Sequence, residues 1–326
     1  MNLKHKFLEC QKKKVEEIER ILREFLPEEE GHQKVIMEAM AYSLMGGGKR
    51  LRPMLMRETY LLFSGGEERP KERRVLHAFM AAQEMIHTYS LVHDDLPAMD
   101  DDEYRRGRKT THVVFGEDMG ILAGDALLNY AFETAAGAFA AAGCGPADDL
   151  AADRPSADCL AAYAEAEKIA ASLQILGRKA GIYGMIGGQV IDVKETGHAV
   201  PAEVLDTVYA LKTAALIESS MLIGAVLGGA SEDEVRTVEQ IARNVGLAFQ
   251  IQDDILDVAG TAETLGKPIH SDEKNEKTTY VTLYGVARSR EIVEEKSREA
   301  VRMLKGLPGD HGYLEQLLLQ LIYREK

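Results

Sequence analysis

The chain has 326 residues, 45% of them hydrophobic, and a net charge of −14 that no basic run offsets. That balance excludes a general nucleic-acid surface and leaves ample apolar material for one large core or two smaller ones. Three cysteines (Cys10, Cys144 and Cys159) lack metal-ligand spacing and fit free thiols in a reducing cytoplasm.

Strand signals are nearly absent, and Ala, Leu, Glu, Met and Lys dominate, so helices are expected throughout. Val15, Ile18, Leu22, Phe25 and Leu26 recur at helical spacing until Pro27. The mixed basic, acidic and apolar order of residues 1–25 does not read as a secretion leader. Further helices are predicted over Lys34–Leu44, ending at Gly46-Gly47-Gly48, and over Leu55–Phe63, ending at Ser64-Gly65-Gly66. Val75–Asp94 has almost no internal charge and reads as a helix buried on most sides. Helices follow near Gly120–Ala142, Ala162–Ile191, Ala202–Leu227, Ser231–Val258, Val286–Leu304 and Tyr313–Arg324. Residues 144–159, rich in Ala, Asp, Gly and Pro, read as an exposed loop inside one domain. Ser219–Ala230 is too short to span a bilayer, and no membrane anchor is expected. The expectation is a single all-α helical bundle, with two acidic motifs meeting in a deep central cavity.

Those motifs are Asp94-Asp95-Leu-Pro-Ala-Met-Asp100-Asp101-Asp102 and Asp253-Asp254-Ile-Leu-Asp257. Carboxylates clustered in apolar helices repel one another and are costly to bury without counter-charge. Asp94 also ends a helix, the wrong end of its dipole for an anion. Asp253 and Asp257 stand one turn apart on one face and can share a cation. Hard divalent cations answer this, and Arg105, Arg106, Arg108, Lys267 and Lys277 downstream suggest that the cations carry a phosphorylated ligand.

Gly46-Gly47-Gly48-Lys49-Arg50-Leu51-Arg52-Pro53 sets flexible backbone before three cations, as an anion site needs; a helix end with solvated charges gives the same pattern. It is not a nucleotide P-loop, since no Ser or Thr follows the lysine. Lys212-Thr213 interrupts an apolar helix, as a donor pair aimed into a cavity or as a snorkelling lysine. Gly187-Gly188 suits close helix approach, with Gln189 and Asp192 one turn apart. His87 lies two turns before Asp94, on the same helical face; alone it reads as an ordinary core histidine.

Taken together, Gly-Gly-Lys-Arg-Leu-Arg-Pro at 47–53, His-Asp-Asp-Leu-Pro-Ala-Met-Asp-Asp-Asp at 93–102, Arg-Arg-Gly at 105–107, Lys212-Thr213 and Gln-Ile-Gln-Asp-Asp-Ile-Leu-Asp at 250–257 resemble the short-chain trans-isoprenyl diphosphate synthases. The match is closest to the bacterial farnesyl diphosphate synthases. The resemblance runs from about residue 41 to 280 and implies the isoprenoid-synthase bundle. It implies Mg²⁺, with Mn²⁺ as a substitute, on Asp94, Asp100 and Asp253, supported by Asp95, Asp254 and Asp257. The allylic diphosphate would be held by these ions with Arg105, Lys212 and Lys267, and Lys277 would also bind substrate. Isopentenyl diphosphate would lie metal-free against Gly48, Lys49, Arg52, His87 and Arg106.

The implied reaction is ionisation, addition and proton loss, with Thr213 and Gln250 facing the allylic cation beside Lys212 and Arg105. The fifth residue before the first motif, Tyr89, would floor the pocket near C15, with the neighbouring wall of Ser90, Phe115 or Met119 as the alternative floor; Ala or Ser at 89 would admit geranylgeranyl chains. Geranyl output is the shorter alternative. A class I terpene cyclase would carry Asn, Ser or Thr and Glu in its second motif, and a non-catalytic subunit would have lost one motif. A homodimer in the cytoplasm is expected, with Arg324 or Lys326 proposed to close over isopentenyl diphosphate.

Overall fold

The computed structural model describes residues 3–143, 157–259 and 278–323. Lys267, Lys277, Arg324, Lys326, most of the 144–159 loop and the side chain of Cys159 lie outside the described residues, while Cys10 is an exposed free thiol. The described chain is all-α apart from one two-stranded hairpin, and it is organised as two compact units.

The first unit comprises residues 1–57 and 68–173. It holds α1 (Leu3–Glu24), α2 (Lys34–Leu44), the start of α3 (Leu51–Ser64) and α4 (Arg73–Asp94). It continues with α5 (Thr111–Phe115), α6 (Glu117–Ala136), α7 (Ala138–Ala141) and most of α8, which starts at Ala157. The largely apolar run of α4 is its core: Val75, Leu76, Phe79, Met80, Met85 and Ile86 are at most 1% exposed. Burying each such large side chain contributes about 1.5–3 kcal/mol. The helix expected over 120–142 is two, divided at Gly137.

The hairpin pairs Tyr104–Arg105 (β1) with Arg108–Lys109 (β2), antiparallel, across Arg106 and Gly107. Both turn residues have positive φ, 53° and 74°, so a turn that glycine favours carries a non-glycine residue beside it. Two-residue strands give no period to read in a sequence, and this element was not expected.

The second unit comprises residues 58–67 and 174–326. It holds the end of α3, the end of α8 at Ala180, α9 (Met185–Glu195), α10 (Ala202–Val208), a π-helical turn (Tyr209–Ala214) and α11 (Ala215–Gly228). It closes with α12 (Glu232–Ala259), α13 (Tyr280–Leu304) and α14 (Gly312–Ile322). Residues 202–228 are apolar enough to cross a membrane, but 72% of that window is buried and α11 is a core helix.

The single helix expected over 162–191 is broken between α8 and α9. At Gly184 a Cβ would lie 2.0 Å from the Lys179 carbonyl oxygen, so only glycine fits this approach. The helix expected from Val286 begins earlier, at Tyr280, and kinks at Gly285, where φ is 76°.

Candidate active site

In the first unit, the glycine-rich segment delivers its cations to one place. Arg50 has φ of 47°, rare for a residue with a side chain, and its guanidinium is buried. It bonds Glu84 of α4 at 3.0 Å and Glu19 of α1 at 3.4 Å. This ion pair ties the loop to the turn of α4 that precedes His87. Arg106 donates to the Gly47 carbonyl, and a Cβ at Gly48 would lie 2.5 Å from its guanidinium. Gly48 has φ of 138°, a backbone that favours glycine, and the hairpin cation lies against it.

Electrostatics confirm the convergence. Burial lowers Arg52 to about 10, with Glu84 opposing and Arg106 adding to the shift. Burial, then Arg52, Arg106, Arg105 and Arg50, hold His87 well below its usual value, so it is neutral at pH 7. Burial also lowers Arg106. A half-buried neutral imidazole among guanidiniums suits an anion, whose arrival would relieve their mutual repulsion. Arg52, His87, Arg106 and Gly48 come together in the first unit, and exposed Lys49 adjoins them in sequence.

The first aspartate motif folds back on itself. The Asp100 N–H donates to the Asp94 carbonyl at 2.8 Å, Asp101 N–H to Leu96 at 3.1 Å and Asp102 N–H to Asp95 at 3.2 Å. Asp94 and Asp100 are therefore neighbours, the first half-buried and the second exposed. Asp95 is different. It is 4% exposed and accepts from Arg105 Nε at 2.6 Å. Burial pushes its carboxyl up, with Arg105 opposing. Arg105 also reaches Asp102 at 3.6 Å.

Tyr89 is 6% exposed on α4 and its hydroxyl has no hydrogen-bond partner among the described residues. Burial and then Asp94 push it up to about 12. Its ring meets His93 edge-on at 5.8 Å, and His93 in turn sits over Gly124 and bonds the Ile121 carbonyl at 3.0 Å. The ring is wedged in place.

In the second unit, Lys212 and Thr213 lie in the π-helical turn, a wide coil that is rare and concentrates at functional sites. Two glycines make room for it: a Cβ at Gly188 would lie 2.3 Å from the Lys212 nitrogen, and one at Gly246 2.3 Å from Ala214 Cβ. Lys212 does not snorkel; its ammonium bonds Asp192 of α9 at 2.6 Å. Thr213 and Gln250 are half-buried.

On α12, Asp253 is exposed and Asp257 half-buried on the same face, while Asp254 is 6% exposed. Asp254 accepts from Tyr209 Oη at 2.7 Å and from the Tyr280 backbone N–H at 2.9 Å. Asp95 and Asp254 therefore face inward to protein partners, while Asp94, Asp100 and Asp253 remain open to solvent in whole or part.

Among the described residues no three acidic, histidine or cysteine side chains gather closely enough to hold a metal unaided. The open carboxylates still fit Mg²⁺, which keeps several waters and is held by one or two carboxylates together with substrate phosphates. Sequence reasoning missed Glu19, Glu84, Tyr209, Tyr280 and the π turn. The interior glycines Gly188 and Gly246 were the available signal for the last.

Residues 33–308 match the family model described as polyprenyl synthetase. A chloroplastic geranylgeranyl pyrophosphate synthase of Capsicum annuum is 42% identical over 273 residues, 83% of this chain. The chain spans 66% of that relative's length. A farnesyl diphosphate synthase of Geobacillus stearothermophilus is 37% identical over 302 residues, 91% of each chain. A solved geranyltransferase of Helicobacter pylori, complexed with magnesium and isoprenyl diphosphate, is 28% identical with a TM-score of 0.76, covering 97% of this chain and 96% of its own. The chain belongs to the polyprenyl synthetase family of trans-prenyl diphosphate synthases.

Proposed function

We propose that this enzyme condenses isopentenyl diphosphate head-to-tail with dimethylallyl or geranyl diphosphate and stops at farnesyl diphosphate. The observation that carries the C15 limit is Tyr89, a buried ring five residues before the first aspartate pair and fixed against His93. At 1.5 Å per residue it lies about 7.5 Å along the helix axis from Asp94. There it blocks a tail that grows away from the diphosphate.

Asp94, Asp100 and Asp253 would hold Mg²⁺, which when bound would supply charge neutralisation for the departing diphosphate. Arg105 and Lys212 add donors to the same leaving group, oriented by Asp95 and Asp192. Arg52, His87 and Arg106, with Lys49 beside them, hold the diphosphate that does not leave, which requires positioning only. Thr213 and Gln250 present dipoles to the allylic cation and exclude water from it. The isopentenyl double bond attacks that cation, and the released diphosphate takes the proton. No side chain here becomes a covalent nucleophile.

The chain acts as one catalytic domain in this reading, supported by a family match that runs across both units. A homodimer in the cytoplasm is proposed from the family resemblance; light scattering tests the first. Geranylgeranyl diphosphate is the second reading, favoured by the name and identity of the Capsicum annuum relative. Chromatography of products from isopentenyl diphosphate, geranyl diphosphate and Mg²⁺ decides: C15 as the end product supports the proposal, and C20 overturns it.

A further inference from the structure

Tyr209, Asp254 and Tyr280 form a cluster that the chemistry above does not use. Asp254 Oδ2 accepts two hydrogen bonds, from the Tyr209 hydroxyl and from the first N–H of α13. The Tyr280 hydroxyl donates to Asp206, three residues before Tyr209. The two rings stack at 5.7 Å with 26° between their planes. Each bond therefore closes a circuit through α10, the π turn, α12 and α13.

Tyr209 is the first residue of that turn, and Lys212 follows three residues later. A π turn gives up the regular α-helical bonding and persists where its surroundings hold it. Here Gly188 and Gly246 give it space, and the Tyr209–Asp254 bond fixes its leading end to the helix that carries Asp253. With one oxygen committed to two donors and only 6% of the residue exposed, Asp254 is poorly placed to lend itself to a cation.

We propose that Asp254 is a positioning residue that latches the π-helical turn bearing Lys212 and Thr213 to the second aspartate motif. The proposal rests on the prenyltransferase reading for its kinetic test, and on the fold alone for its melting test. Asparagine at 254 retains an acceptor oxygen for both donors while removing the charge. A latch tolerates that exchange; a Mg²⁺ ligand does not.

The experiment compares Asp254→Asn, Asp254→Ala and Tyr209→Phe in the full chain. Without Mg²⁺, Asp254→Ala and Tyr209→Phe should melt several degrees below the parent and Asp254→Asn beside it. With Mg²⁺ and substrates, Asp254→Ala should lose about 10- to 100-fold in kcat, the range for residues that orient a metal-site group. KM for isopentenyl diphosphate should stay unchanged, and Asp254→Asn should recover activity to within a few-fold of the parent at an unaltered Mg²⁺ requirement.

A ligand role would appear as Asp254→Asn failing as badly as Asp254→Ala with a raised Mg²⁺ requirement, which overturns the proposal. A lowered melting point with kcat untouched would reduce the cluster to structural support and overturns it equally. If the parent makes no prenyl diphosphate, the proposed function fails, and the metal-free melting series still decides whether the bond holds the turn.

Discussion

The two aspartate motifs solve one electrostatic problem with different partners. Each begins with an adjacent pair whose second member is buried, Asp95 at 4% and Asp254 at 6% exposure. Asp95 is held by a cation, Arg105, and sits on a loop closed by its own backbone bonds. Asp254 is held by neutral donors, Tyr209 and the Tyr280 amide, on a regular helix. Charge at the buried position should therefore matter more in the first motif than in the second. In the proposed reading the open members, Asp94 and Asp253, carry the metal-binding role in both.

The largest effects should come from those open members. Asp94→Ala or Asp253→Ala, or excess chelator with the parent, should lower turnover by several orders of magnitude, because each removes charge neutralisation from the departing diphosphate. Steady-state kinetics across a Mg²⁺ series checks this. Next, Arg50→Ala should destabilise the first unit by about 3–5 kcal/mol by stranding Glu84, as removal of one partner of a buried pair does. Denaturant unfolding reads that loss.

Asp95→Asn should cost about 10- to 100-fold in activity by loosening Arg105, far more than Asp254→Asn. Equal effects at the two positions would erase the contrast between the motifs. Arg52→Ala should raise KM for isopentenyl diphosphate while leaving that for the allylic substrate within a few-fold. The smallest change in rate should come from Tyr89. Tyr89→Ala should move product towards C20 with turnover little altered, since each extra buried methylene contributes about 0.8 kcal/mol. Tyr89→Phe should keep C15, because the Tyr89 hydroxyl has no partner to lose among the described residues.

Much of the site was legible because its chemistry needs particular residue types at short spacings. Asp253 and Asp257, one turn apart, could be placed on a face before any coordinates, as could His87 relative to Asp94. What escaped was set by tertiary contacts between residues remote in sequence. The Arg50–Glu84 pair spans 34 positions and Asp254–Tyr209 spans 45. The π turn has the same apolar composition as an α-helix, and only the glycines at 188 and 246, opposite it on other helices, betray its width. The break at Gly184 was hidden for a related reason: apolar residues continue through it at near-helical spacing.

The division of labour between metal and guanidinium is tested most directly by calorimetric titration of the two substrates with and without chelator. Isopentenyl diphosphate should bind with the same affinity in both conditions, through Arg52, His87 and Arg106. An unreactive allylic diphosphate analogue should bind tightly with Mg²⁺ and lose most of that affinity in chelator. Equal metal dependence of the two ligands, or none for either, would contradict the account.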